Sequence, residues 1–162
     1  MLIENMLPEH WSAVARIYEE GIQTGFATFE TQVPLYADWD KAHLPTCRLV
    51  AKKASLITGW AALSPVSSRC VYEGVAEVSV YIGQAHRGHG IGLALLEALI
   101  VQSEAEGFWT LQSGIFPENQ GSIKLHERVG FRFLGKRERI AKINGVWKDN
   151  LLFEKRSTRI GV

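Results

Sequence analysis

The stretch YIGQAHRGHGIGLALLEALI, Tyr81 to Ile100, runs from alternating residues into a leucine-rich segment, with Gly88, Gly90 and Gly92 at the junction. Ile91 to Glu106 reads as a helix: Leu95/Leu99 and Leu96/Ile100 stand four residues apart, and Gly107 sits at the expected stop. Upstream, Val71 to Ile82 reads as a strand, with Val78, Val80 and Ile82 on one face and Glu77, Ser79 and Tyr81 on the other. A strand, a short glycine-rich loop and a helix start together make an anion site. The first N–H groups of a helix have no internal acceptor, and the helix dipole makes that end positive. Glycine lets the loop fold tightly and lets a phosphate approach the backbone. Arg87 adds a charged donor beside it.

Working outward, Met1 to Met6 is an expected first strand, and Pro8 fits the first turn of a helix. In that helix Trp11, Val14, Ala15, Tyr18 and Ile22 recur at helical spacing, and Gly21 and Gly25 close it. Thr24 to Val33 reads as a loop, and Pro34 to His43 as a second short helix. Arg48 to Lys53 and Ser55 to Ser64 read as strands joined by a tight turn. After the central helix, Phe108 to Ile115 is a strand and Asn119 to Val129 a helix closed by Gly130. Phe131 to Ile143 and Val146 to Lys155 form a hairpin about Asn144-Gly145. The order β-α-α-β-β-β-α-β-α-β-β predicts a mixed α/β fold around one central sheet.

At 162 residues the chain is expected to form one domain, residues 1–162, able to bury a core without metal or disulfide support. The formal net charge of +1 argues against nucleic acid as the main partner. Cys47 and Cys70 have no metal-ligand spacing and read better as two thiols than as a disulfide. No segment reads as a signal peptide or membrane span, so a soluble cytoplasmic protein is expected, without membrane or metal.

The phosphate ligand is narrowed by what the loop lacks. No Lys follows the glycines, as the P-loop requires. The dinucleotide fingerprint fails too, since its last glycine would fall on Leu93 or Leu95. What remains is Arg-x-x-Gly-x-Gly at Arg87, Gly90 and Gly92. This motif resembles the acetyl-CoA pyrophosphate loop of the GNAT superfamily of N-acetyltransferases, and the element order is similar to that fold over nearly the whole chain. AEVSVYI (76–82), ENQGSIKLHERVGF (118–131) and NGVWKDNLLFEK (144–155) look like the phosphinothricin and methionine sulfoximine/sulfone N-acetyltransferase branch. That resemblance implies acetyl transfer from acetyl-CoA to the α-amine of a small amino acid or analogue. It implies cofactor contacts from Ser79, Val80, Tyr81 and Ile82 along the strand. The pyrophosphate would rest on Arg87, Gly88, His89, Gly90, Ile91, Gly92 and Leu93. Asn119 matches the family Asn near the thioester, and it also reads as a plain helix N-cap.

The chemistry joins an amine to a thioester carbon, so a proton acceptor is needed at the amine and a donor helps at the departing sulfur. The resemblance implies Glu77 and His126 as the catalytic pair. Glu77 suits a base acting directly or through water, and His126 a donor to sulfur or a group that polarises water. Many relatives carry Tyr at the His126 position. For the substrate, Arg69 is a cation for a carboxylate and Tyr72 a wall of the same cleft. Phe29 and Glu30 match a covering loop, and Trp147 and Asp149 match a G-x-W-x-D pattern near the active site or a dimer seam. The branch implies a homodimer. Two other classes stay open: an acetyltransferase for a polyamine, amino sugar or protein N-terminus, and a non-catalytic acetyl-CoA sensor.

Overall fold

A computed structural model describes residues 1–162. It contains seven strands and four α-helices in the expected order. The strands are β1 Leu2–Asn5, β2 Arg48–Lys53, β3 Leu56–Pro65, β4 Val75–Ile82, β5 Thr110–Ile115, β6 Arg132–Ile143 and β7 Val146–Arg156. The helices are α1 Trp11–Gln23, α2 Tyr36–Ala42, α3 Ile91–Ala105 and α4 Gln120–Arg128. All seven strands share one sheet in the order β1-β2-β3-β4-β5-β7-β6. Every neighbouring pair is antiparallel except β4 and β5.

Strand alternation sends side chains to two cores. Leu49, Ala51, Ala61, Leu63, Ala76 and Val78 meet Ile91, Leu95, Leu96 and Leu99 of α3 and Ile123 of α4. On the other face Val50, Trp60 and Ala62 meet Val14, Ile17 and Tyr18 of α1 and Trp39 of α2. A helix layer therefore covers each face of the sheet, which buries strands that are apolar on both sides. The second core is aromatic: Trp60 stacks on Tyr81 with centroids 4.9 Å apart, and Tyr18 lies 5.0 Å from Tyr81.

Several boundaries differ from the sequence reading, each for a local reason. The fourth strand starts at Val75, because residues 70–72 form a 3-10 turn and Val71 faces solvent. Pairing with β5 can begin only after Gly74, whose carbonyl accepts from the N–H groups of Trp109 and Thr110. The same contact moves the start of β5 from Phe108 to Thr110. Pro8 opens a 3-10 turn, Pro8–His10, and α1 follows at Trp11. The second helix begins two residues after Pro34, at Tyr36. Asn119 is the N-cap of α4, its Oδ1 accepting from Ser122 N–H at 3.2 Å. The final hairpin turns at Asn144 and Gly145, with φ of 48° and 80°, as a type I′ turn requires.

Candidate active site

β4 and β5 run parallel only over Val75↔Thr110, Ala76↔Leu111 and Glu77↔Gln112. Beyond Glu77 the strands part, while β4 keeps its pairing to β3 through Ile82 and β5 keeps its pairing to β7. One backbone edge of β4 is therefore open, and a cleft of about 290 Å³ lies in the gap. Ala27, Thr28 and Phe29 of the loop after α1 line it, with Glu77 to Tyr81 of β4 and Ser113 to Phe116 of β5. Asn119, Ser122 and His126 come from α4, Arg137 from β6 and Asn150 from β7. Phe29 meets Phe116 edge-on at 4.7 Å across the opening.

Glu77 is half-buried and accepts from Gln112 Nε2 at 3.1 Å, the last rung before the strands separate. His126 is buried, and its Nδ1 lies 2.7 Å from the carbonyl oxygen of Ser122, one helical turn earlier. A carbonyl only accepts, so the ring proton sits on Nδ1. Nε2 is then a bare acceptor, and it is buried without a protein partner. Burial lowers the His126 pKa below its ordinary 6.5, and the Ser122 carbonyl opposes that shift. Tyr81 also lines the cleft, and its phenol is kept neutral: burial pushes its pKa up, helped by Tyr18 and Glu30.

At the far end of β4, the loop from Gly83 to Gly90 leads into α3. Gly90 is the residue before the helix, at φ 78°, and Gly88 has the same φ. Nothing lies within 4 Å of a Cβ at either position, so the backbone conformation alone demands glycine there. Gly92 serves packing instead: its Cβ would stand 3.0 Å from Leu125 of α4 and 3.7 Å from Ile82. The first bond within the helix is Ala94 N–H to Gly90 O, and no side chain caps the start. The N–H groups of Ile91, Gly92 and Leu93 thus point out free, with the exposed Arg87 tethered beside them by Nε to the Ile82 carbonyl. Free helix N–H groups next to an unpaired guanidinium suit a pyrophosphate, and the open β4 edge suits an extended amide-bearing arm.

Of the residues expected to contact substrate, Phe29 and Glu77 line the cleft. Glu30 is exposed at its margin, near enough to influence Tyr81. Arg69 and Tyr72 pack together on the exposed turn before β4, the guanidinium 5.5 Å over the ring, and do not line the cleft. Trp147 is half-exposed under Lys142 Nζ at 4.8 Å. Asp149 accepts from Arg139 N–H at 2.8 Å, so it holds β6 and not the cleft. Sequence reading missed Arg137, Asn150, Ser113 and Ser122. Only Ser122 left a signal, since it stands four residues before His126 on a helix.

Residues 11–131 match the Acetyltransferase (GNAT) family. The L-methionine sulfoximine/L-methionine sulfone acetyltransferase of Pseudomonas paraeruginosa is 37% identical over 78 residues, 48% of this chain and 45% of that protein. The matched segment thus spans less than half of that relative's length. The fold is similar to a GNAT superfamily phosphinothricin acetyltransferase from Sinorhizobium meliloti in complex with AcCoA, with TM-score 0.88 and 25% identity over 99% of this chain and 90% of that one. It is also similar to a ribosomal-protein-alanine N-acetyltransferase from Brucella melitensis, with TM-score 0.90 and 26% identity over 97% of this chain and 100% of that one. A sheet parted between its fourth and fifth strands, an uncapped helix start beyond the gap and a family match across both make this chain a member of the GNAT family of acetyltransferases, which use acetyl-CoA.

Proposed function

We propose that this chain, acting as a single acetyltransferase domain, moves an acetyl group from acetyl-CoA to the α-amine of a small amino acid or analogue of the phosphinothricin, methionine sulfoximine or methionine sulfone type. The observation that carries the reading is the cleft at the β4/β5 gap, which has a carboxylate on one wall and a buried imidazole acceptor on the other. The names of the relatives support the substrate class. The Phe29–Phe116 contact across the opening favours a small molecule over a protein N-terminus.

Acetyl-CoA supplies the acyl group as a thioester, and Ile91, Gly92, Leu93 and Arg87 would hold its pyrophosphate. Ser79 to Ile82 would pair with its pantetheine arm, and Asn119, whose Oδ1 is used by Ser122, keeps Nδ2 for the thioester end. The amine nitrogen must lose two protons overall, one as the ammonium becomes nucleophilic and one as the C–N bond forms. Glu77 suits the first transfer. Nε2 of His126 suits the second, because it starts without a proton. Once protonated there, His126 can hand that proton to the sulfur as the C–S bond breaks, so the donor role expected for it is the second half of a shuttle. Atoms and charge then balance: acetylated amine, CoA thiol and one proton released through Glu77.

A cytoplasmic setting fits a chain that uses acetyl-CoA and carries two free thiols, Cys47 and Cys70. A homodimer is supported by the outer hairpin. β6 is an edge strand, and Phe133, Ile140, Val146 and Trp147 of β6 and β7 are exposed. An uncovered edge with exposed aromatics suits an isologous contact. Light scattering across a dilution series should report twice the monomer mass, and a monomer at micromolar concentration ends the dimer reading.

Incubation with acetyl-CoA and a panel of amines, following CoA thiol, tests the reaction itself. Glu77→Gln should lower kcat by roughly 10²-fold or more with acetyl-CoA affinity retained, as loss of a general base does. Full turnover in that variant would return Glu77 to a structural role.

The neutral state of His126 has a stability signature. Its folded pKa lies below the unfolded 6.5. Above that pH neither state binds the proton, and below it the unfolded chain binds first, so stability falls as pH falls. His43, half-buried and stacked on Trp39, is shifted in the same direction by its partial burial. The urea midpoint should therefore drop between about pH 7.5 and 5.5, and His126→Gln should flatten that slope while His43 keeps part of it. An unchanged slope in His126→Gln would mean that its ring titrates normally.

A further inference from the structure

Arg137 is the one cationic side chain lining the cleft, and it forms no ion pair. Carboxylates near it are engaged elsewhere: Asp149 with Arg139 N–H at 2.8 Å and Lys136 at 3.9 Å, Glu77 with Gln112 at 3.1 Å. Its one protein partner is Asn150, whose Oδ1 accepts from Nη2 at 3.3 Å. Asn150 is buried and lies flat over Gly114 of β5, where a Cβ would come within 2.7 Å of Oδ1. The remaining N–H groups of the guanidinium have no protein acceptor.

The backbone aims this side chain. Pairing of β6 with β7 skips Leu134, runs in step from Gly135↔Leu152 to Arg137↔Asn150 and resumes at Ala141↔Lys148. Glu138, Arg139 and Ile140 thus stand opposite Asp149 alone, in a bulge of three residues against one. Arg139 has φ 45°, a conformation unfavourable for a side-chain-bearing residue, and the Asp149 carboxylate holds its N–H there. A bulge turns the strand next to a site and redirects the adjoining side chain. Here the adjoining side chain is Arg137.

We infer that Arg137 is the seat for the substrate's α-carboxylate, aimed into the cleft by the bulge that Asp149 pins, and that it selects amino acids over amines lacking a carboxylate. The inference rests on the proposed amino-acid acetylation. A guanidinium with free N–H groups binds a carboxylate through paired, charge-assisted bonds. An α-amino acid carries its amine on the carbon next to that carboxylate. Seating the carboxylate at the β6–β7 wall therefore leaves the amine toward Glu77, in a cleft small enough for one such molecule to touch both walls. The cofactor's phosphates are not rivals for this group, because the free helix N–H groups that suit them lie beyond the opposite strand.

The test compares methionine sulfone with its decarboxylated amine, 3-(methylsulfonyl)propylamine, in kcat/KM. The wild-type chain should prefer the amino acid. Arg137→Gln should reduce that preference by roughly 10- to 100-fold through the amino acid's KM, with acetyl-CoA affinity by calorimetry unchanged. Arg137→Lys should keep part of the preference, and Asp149→Ala should lower it in the same direction as Arg137→Gln. A wild-type preference that survives Arg137→Gln overturns the seat and leaves the proposed reaction standing. Equal slowing on both substrates, or weakened acetyl-CoA binding, also overturns it. A wild-type chain that acetylates only amines without a carboxylate overturns both the seat and the amino-acid reading.

Discussion

The structure depends on three rungs of parallel pairing between β4 and β5, followed by none. A sheet that stayed closed would have no cleft. A sheet that parted earlier would leave Glu77 without its Gln112 contact. Opening a sheet exposes backbone donors and acceptors, and an unmet buried one costs about 1–3 kcal/mol. The gap persists because both strands are fully paired on their outer sides, β4 to β3 and β5 to β7. The open edge is thereby a fixed set of hydrogen-bonding groups, held by two half-sheets that cannot approach each other.

The helices act as the frame of that gap. α3 and α4 sit close together where Gly92 meets Leu125, and Leu95, Leu96 and Leu99 anchor α3 in the core beneath β2 to β4. Fully buried leucines of this kind each cost about 2–5 kcal/mol to truncate, so the helix start beyond β4 is positioned by packing. α4 carries Asn119, Ser122 and His126 on one face, at the spacing that lets each reach the cleft. Through Ser122 the helix backbone fixes the tautomer of His126, and burial keeps the ring neutral. Thus a proton acceptor is set by ordinary helix geometry, with no carboxylate behind it.

Much of the fold was legible because its signals are local. Arg48–Lys53 shows strand composition and is β2 to the residue, and Asn144-Gly145 forms the type I′ turn that its chemistry demands. The glycine loop before Ile91 announced a helix start by the same logic. What was not legible depended on contacts across the sheet. Val71 has strand character yet falls in a turn, because Gly74 meets Trp109 and the parallel pairing begins there. Arg69 has the place of a cation for a carboxylate, in the loop before the strand of Glu77, but it stacks on Tyr72 outside the cleft. Arg137 was invisible as a site residue. It pairs with Asn150 just before a bulge of three residues against one, and no periodicity in RERIAKI reveals that register. Trp147 and Asp149 of G-x-W-x-D also divide, Asp149 holding the bulge and Trp147 lying on the outer surface.

Hydrogen exchange of the whole chain, with and without acetyl-CoA, tests most directly the claim that the parted strands and the uncapped helix form one binding surface. The account predicts added protection concentrated in residues 78–93, along the open edge of β4, through the glycine loop and into the first turn of α3. Protection absent from that stretch would contradict it. So would protection appearing at the shallow pocket lined by His10, Arg16 and Lys52 on the other side of the sheet.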